Sequence, residues 1–216
     1  INALPGEFTI RFMTSHPKDA TPRLFETMAR CEKVAHHIHL PFQSGSDRIL
    51  KAMNRGYTQE QYVALTRAAR ALMPDISFTS DVIVGFPGET EEDFEETLAL
   101  VRRVGFDALF TFLYSPRPGT PAAKLEDATP RAEKQKRFER LLNAQSEIAA
   151  QHAKTLVGTT ARVLVEQDEG GDGLNLLART DGNRPVRVKG DAALVGSWVD
   201  VQIDICSKWS MEGHIL

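Results

Sequence analysis

The stretch "HLPFQSGSDRILKAMNRGYT", His39 to Thr58, holds a strand-like start, a polar turn around Gly45 and a short helix-like run. Read from Ala35, the strand becomes "AHHIHLPF". Successive side chains of a strand point to opposite faces. Here the even positions His36, Ile38, Leu40 and Phe42 are mostly apolar, while the odd positions carry His37, His39 and Gln43. The same parity in "FTIRFMT", Phe8 to Thr14, separates Phe8, Ile10 and Phe12 from Thr9, Arg11 and Met13.

Working outward, "FTSDVIVGF" (Phe78 to Phe86) and "ALFTFLYS" (Ala108 to Ser115) read as two more strands. Helical periodicity lies between the strands. Thr21 and Pro22 offer an N-cap and a first-turn proline for a helix running toward Cys31. Thr58 with Gln61 makes a capping-box pattern for a helix expected to bury Tyr62, Leu65 and Leu72. Thr90 caps a helix with Phe94, Leu98 and Val101 on one face. Such βαβα alternation predicts four parallel strands joined by right-handed crossovers, with helices outside and an open edge: a partial (β/α) barrel. With the apolar faces under the helices, Arg11, His37, His39 and Gln43 are expected to point into the barrel interior. In such barrels the active site forms at the C-terminal strand ends. The QSGS turn (Gln43 to Ser46) and the GFPGE turn (Gly85 to Glu89) both lie there, so the opening stretch reads as one wall of a ligand site.

A long helix follows from Thr129 and Pro130 to about Leu156, with Phe138, Leu141, Leu142, Gln145 and Ile148 at helical spacing. After Gly158 the texture becomes "ARVLVEQ", "GLNLLART", "RPVRVKG", "SWVDVQIDI" and "SMEGHIL", short β-rich pieces between Gly, Asp and Asn turns. This spacing predicts a small antiparallel β-barrel of OB-like type. The domain boundary falls at Val157/Gly158, giving residues 1–157 and 158–216.

The chain has 216 residues, 42% apolar and 25% charged, with a formal charge of −3. That is ordinary globular composition, and any nucleic-acid binding must use a local patch. No apolar run reaches the ~20 residues of a membrane span. No secretory signal is visible, and Ile1 in place of an initiator Met reads as a processed or excised chain. Cys31 and Cys206, distant and without CxxC spacing, predict two free thiols in a reduced, cytoplasmic setting. His36, His37 and His39 do not make a metal site: a strand puts only two of them on one face and no third ligand is signalled. Asp81 is a charge within an apolar strand and needs a partner, Arg11 or a ligand amine. Tyr114, Arg117 and the "SPRPGT" loop are candidates for the substrate mouth. In the β module Arg162, Arg179, Arg184, Arg187 and Lys189 concentrate positive charge, as a phosphate-contact surface would.

Four stretches, "HLPFQSGSDRILKAMNRGYT", "SDVIVGFPGETEEDF", "FTFLYSPRPGTPAA" and "ARTDGNRPVRVKG", closely resemble the MiaB branch of the radical-SAM methylthiotransferases, over essentially the whole chain. The resemblance implies the last four strands of a radical-SAM barrel, a linking helix and a TRAM domain. It implies an enzyme that uses S-adenosylmethionine (AdoMet) and two [4Fe–4S] clusters to methylthiolate C2 of an isopentenylated adenosine beside the anticodon. By resemblance Gln43, Ser44 and Arg55 are candidate contacts to the AdoMet ribose or carboxylate, and Gly85 to Glu89 lie near its adenine, with Asp81 close by. Asn183 and Arg184 fall in a turn like that of tRNA-binding TRAM domains. The implied partners are a tRNA anticodon stem-loop and the missing N-terminal portion of the same polypeptide, with no membrane and no DNA. The CxxxCxxC cluster ligands are expected upstream of Ile1, so this chain alone is expected to be inactive. Ribosomal-protein aspartate and threonylcarbamoyl-adenosine methylthiotransferases of the same family are the alternatives. A nucleic-acid-binding module without catalysis is the alternative of another class.

Overall fold

The computed structural model describes residues 1–13, 16–208 and 210–216. The capping signals place the helices. Thr21 Oγ1 accepts the Leu24 N–H at the start of α1 (Pro22–Arg30), and the short α2 (Asp47–Ala52) follows the QSGS turn. Thr58 and Gln61 close a reciprocal capping box on α3 (Gln59–Leu72), and Thr90 and Asp93 do so on α4 (Glu91–Val104). The strands β1 (His37–His39), β2 (Ser77–Val84) and β3 (Ala108–Leu113) are parallel and lie in that order. β1 is shorter than the expected Ala35–Phe42: the Leu40 N–H still reaches the Thr79 carbonyl, but the Phe42 N–H donates to Ser80 Oγ instead of continuing the ladder.

The expected fourth strand, Phe8 to Thr14, is not a strand over its described residues; Thr14 lies outside them. It makes only isolated parallel bridges, Ile10 to Val34 and Met13 to His39. Three residues on one side thus match five on the other, and no continuous register can form.

The half-barrel core gathers Ile38, Leu40, Phe42, Phe78, Val82 and Val84 beneath Tyr62, Phe94, Leu98 and Val101. Leu72, expected inside, is 46% exposed. At 3.6 residues per turn it sits about 80° from the Tyr62 direction, whereas Thr66 and Ala69 align with Tyr62 and are buried. On α5 (Arg131–Leu156) the expected Leu141, Gln145 and Ile148 are buried, but Leu142 is 44% exposed. Toward the start of α5 the buried side chains are the cations Lys134 and Arg137.

Five strands, β4 (Thr160–Asp168), β5 (Leu176–Thr180), β6 (Pro185–Val188), β7 (Trp198–Cys206) and β8 (Met211–Ile215), close a barrel in the order β4-β5-β6-β8-β7. It is not wholly antiparallel: β6 and β8 pair in parallel, Val186 with Met211 and Val188 with Gly213. A closed ring with an odd number of strands cannot alternate throughout. Val163, Val165, Val186, Val201 and Ile203 fill it.

The barrel docks on the foot of the sheet. Arg11 Nη2 donates to the Thr180 carbonyl (2.7 Å), and the His36 N–H donates to Asp181 Oδ2 (2.6 Å). Arg184 Nη2 reaches Asp107 Oδ1 (3.0 Å), while Asp107 Oδ2 accepts the Phe78 N–H (2.8 Å). His36 and Phe78 mark the starts of the strands, so the barrel sits at the end opposite the QSGS and GFPGE turns.

Candidate functional site

At the upper strand ends Gln43 adopts φ +65°, a left-handed conformation that costs a non-glycine residue about 1–3 kcal/mol. Two backbone bonds to β2 hold it there, from Gln43 N to the Asp81 carbonyl (2.9 Å) and from Ile83 N to the Gln43 carbonyl (2.9 Å). The chain then turns onto α4. Ser44 is buried and its Oγ accepts the Ser46 N–H (3.2 Å); the Gly45 N–H donates to Thr97 Oγ1 (2.9 Å) and Ser46 Oγ to Asp93 Oδ1 (2.6 Å). Arg48 also pairs with Asp93, and its Nη2 donates to the Gly88 carbonyl (2.6 Å). Burial opposes ionisation of Asp93, yet hydrogen bonds from Arg48, Ser46 and Thr90 outweigh it and hold the carboxyl well below the usual range. Asp93 and Arg48 thus fasten one turn to the other.

In the second turn Gly85 takes φ +76° and its N–H donates to Glu89 Oε2 (2.8 Å). Glu89 is 3% exposed. Arg137 Nη1 donates to the Glu89 carbonyl (3.0 Å) and lies 3.4 Å from Oε2. Burial pushes the Glu89 carboxyl up, against the Gly85 N–H and the Arg137 charge. The Phe86 ring meets Tyr114 edge to face at 5.2 Å, and the buried Tyr114 hydroxyl has no hydrogen-bond partner among the described residues. Arg117 is exposed.

Arg11 is not the partner of Asp81, because its guanidinium is drawn down to the Thr180–Asp181 turn. Asp81 Oδ1 instead faces His39 Nε2 at 3.4 Å. His39 Nδ1 lies 3.0 Å from Thr79 Oγ1, and its ring meets Phe110 edge to face at 5.6 Å. By register Asp81 and Ile83 stand beside Phe110 and Phe112, which are 53% and 51% exposed. This open aromatic face was overlooked in the sequence, although Phe at alternate positions of "ALFTFLYS" signals it. Among the described residues no group of three His, Cys, Asp or Glu is placed to hold a metal. Arg55 is partly exposed, and its charge adds to the burial that lowers the His16 pKa.

His37 is buried, and burial first, then the Arg11 charge, lowers its pKa below 6.5, with Asp107 and Asp181 opposing and His39 adding to the lowering. The unfolded chain therefore takes up the proton more readily. His37 contributes full stability above pH ~6.5, and this is lost as pH falls from there toward the lowered folded value. His37→Asn is expected to reduce the drop in urea midpoint between about pH 7.5 and pH 5.5; an unchanged drop would assign it to other groups.

In the barrel Arg179 Nε pairs with Glu166 (3.0 Å) and Nη1 donates to the carbonyl of Asn183, itself left-handed at φ +67°. Arg187 pairs with Glu169 at 3.0 Å and is half exposed. Arg162 lies over Trp198 at 5.2 Å. Arg184 is turned inward to Asp107. The basic stripe is therefore mostly paired, with Lys189 exposed beside it.

The profile of the Radical SAM superfamily matches residues 1–101, and that of the TRAM domain matches residues 154–216. Parallel half-barrel and closed five-stranded barrel thus define a radical SAM protein with a TRAM domain. The chain is 49% identical over 216 residues to the tRNA-2-methylthio-N(6)-dimethylallyladenosine synthase of Acetivibrio thermocellus, covering 100% of this chain and 45% of that protein. It is 48% identical over 215 residues to the Nitrosomonas eutropha protein of the same name, covering 100% and 48%. The chain carries a radical SAM match and a TRAM match, and it spans about half the length of these curated relatives. Among solved structures, coproporphyrinogen III oxidase (HemN) of Escherichia coli, described as a radical SAM enzyme, shares the fold, with a TM-score of 0.53 at 17% identity over 87% of this chain and 45% of that one.

Proposed function

We propose that this chain is the C-terminal part of an enzyme that methylthiolates C2 of isopentenylated adenosine beside the anticodon of tRNA. The observation that carries the reading is the similarity, 49% and 48% over the whole chain, to relatives that share one such name. That shared name favours this reading over the aspartate and threonylcarbamoyl-adenosine branches. No helix of the described residues is long and apolar enough to cross a membrane, and a cytoplasmic setting suits the proposed tRNA substrate.

The residues present fit one wall of an AdoMet site. The strained Gln43, Ser44, Asp81 and the Gly85–Glu89 turn gather at the strand ends, Arg55 offers a partly exposed guanidinium for a carboxylate, and Phe110 presents an aromatic surface beside Asp81. Bound AdoMet would supply the radical and the methyl group. The iron–sulfur clusters do not fit this chain. Cys31 caps α1 and Cys206 ends β7 in the other domain, whereas a cluster needs several thiolates together. The proposal assigns those ligands to the rest of the polypeptide.

In this reading Tyr114 and Arg117 border the base, and Arg179, Asn183 and Arg187 face the RNA backbone. Arg184 acts by seating the barrel. Phosphate contacts position the RNA and carry little sequence information. An anticodon stem-loop titrated into the chain is expected to bind, and Arg187→Ala to flatten the log–log salt dependence by roughly 0.7–0.9. Absence of stem-loop binding at low salt would overturn the RNA reading. A separate AdoMet titration tests the cofactor wall.

A further inference from the structure

We propose that Arg137 is a positioning residue: it sets the conformation of the Gly85–Glu89 turn and so the shape offered to a nucleoside at the strand ends. The cofactor half of this inference rests on the AdoMet reading above; the turn half does not. Glu89, Gly85 and Arg137 form a closed circuit. The Glu89 carboxylate accepts the Gly85 N–H, and Arg137 holds both the Glu89 carbonyl and its carboxylate. Both members of the ion pair are almost wholly buried. Lys134, one turn earlier on α5, lies against Gly85, where an added Cβ would come within 2.6 Å of its Cδ. Arg137 Nε also holds Glu91 (3.1 Å), the first residue of α4. The turn is thus held from within, from α5 through Glu89 and from Arg48 of α2 through the Gly88 carbonyl, and what it shows a ligand is a held backbone shape.

Removing one partner of a buried pair leaves the other charge uncompensated, which is far worse than removing both. Turn geometry therefore depends on the charge of Arg137, and neutralising Glu89 should relieve its loss. The test is amide exchange at Gly85 and Glu89 by NMR on the chain itself, in Arg137→Met, Arg137→Lys and the double variant Glu89→Gln/Arg137→Met. AdoMet is then titrated into each while the Gly85 and Gly88 resonances are followed. Arg137→Met should speed exchange on the order of tenfold or more, Arg137→Lys less, and the double variant should recover most of the protection. AdoMet affinity should fall and recover in the same order. Unchanged exchange in Arg137→Met, or no recovery in the double variant, would overturn the proposal. If the wild-type chain ignores AdoMet while exchange responds as described, the cofactor reading falls and the role of Arg137 in shaping the turn stands.

Discussion

Gly213→Ala is expected to open the five-stranded barrel and, with it, to abolish the RNA binding proposed for the chain. Gly213 lies on β8 between β6 and β7, opposite Val188 and Ile203. A Cβ there would fall inside the van der Waals surface of the Gln202 carbonyl oxygen and 2.7 Å from Val201 Cγ1. No rotamer relieves a clash with backbone, so β7 and β8 must part, at a cost above the ~1–3 kcal/mol of ordinary core overpacking. Because β8 also closes the ring through its parallel pair with β6, the barrel loses two ladders together. Amide protection of Val186–Val188 and Met211–Ile215 should vanish. Retained protection at these positions would show that the strands can bow around a methyl group.

Phe42→Ala is expected to cost about 3–5 kcal/mol, a large share of the 5–15 kcal/mol that holds a typical domain. Phe42 is fully buried, stacked on Phe106 at 5.3 Å and tilted against Tyr62 at 5.8 Å. Its N–H donates to Ser80 Oγ (2.9 Å), and its carbonyl accepts the Tyr57 hydroxyl (2.9 Å). It is also the residue before the left-handed Gln43, so a cavity here loosens the packing that maintains the strained turn. Chemical denaturation should show the loss. The Gln43 and Gly45 amides should exchange faster in proportion, and a variant that melts within a few degrees of the parent would contradict the packing argument.

Local chemistry was the part of this fold that could be read directly. The capping box at Thr58 and the N-cap at Thr90 were visible because such signals act within three residues; that Asp93 completes a box at Thr90 came from the structure. The alternation in "AHHIHLPF" placed Ile38, Leu40 and Phe42 in the core and the QSGS turn at a strand end. Long-range competition was not visible. Arg11 was a plausible partner for Asp81 until the Thr180–Asp181 turn, some 170 residues later, claimed it. Arg184 read as a free cation in a basic stripe, yet it closes on Asp107. Lys134 and Arg137 carry no signal in the helical spacing that marks Leu141, Gln145 and Ile148. They are buried because Asp127 and Glu89 meet them from other elements, and no helical period reports that.

The helix α5 also fixes a length. Arg137 holds the Glu89 turn at the upper end of the strands, and Leu156 packs on the core of the barrel at the other end. The helix rises 1.5 Å per residue, so these points stand roughly 28 Å apart. A mononucleotide or dinucleotide cannot bridge them, whereas one helical turn of duplex, about 34–36 Å, can. Any nucleic acid gripped by the barrel while one of its bases sits at the strand ends must span at least that distance. In such an arrangement the helix serves as a gauge that rejects short RNA by reach alone, with no contact to the bases.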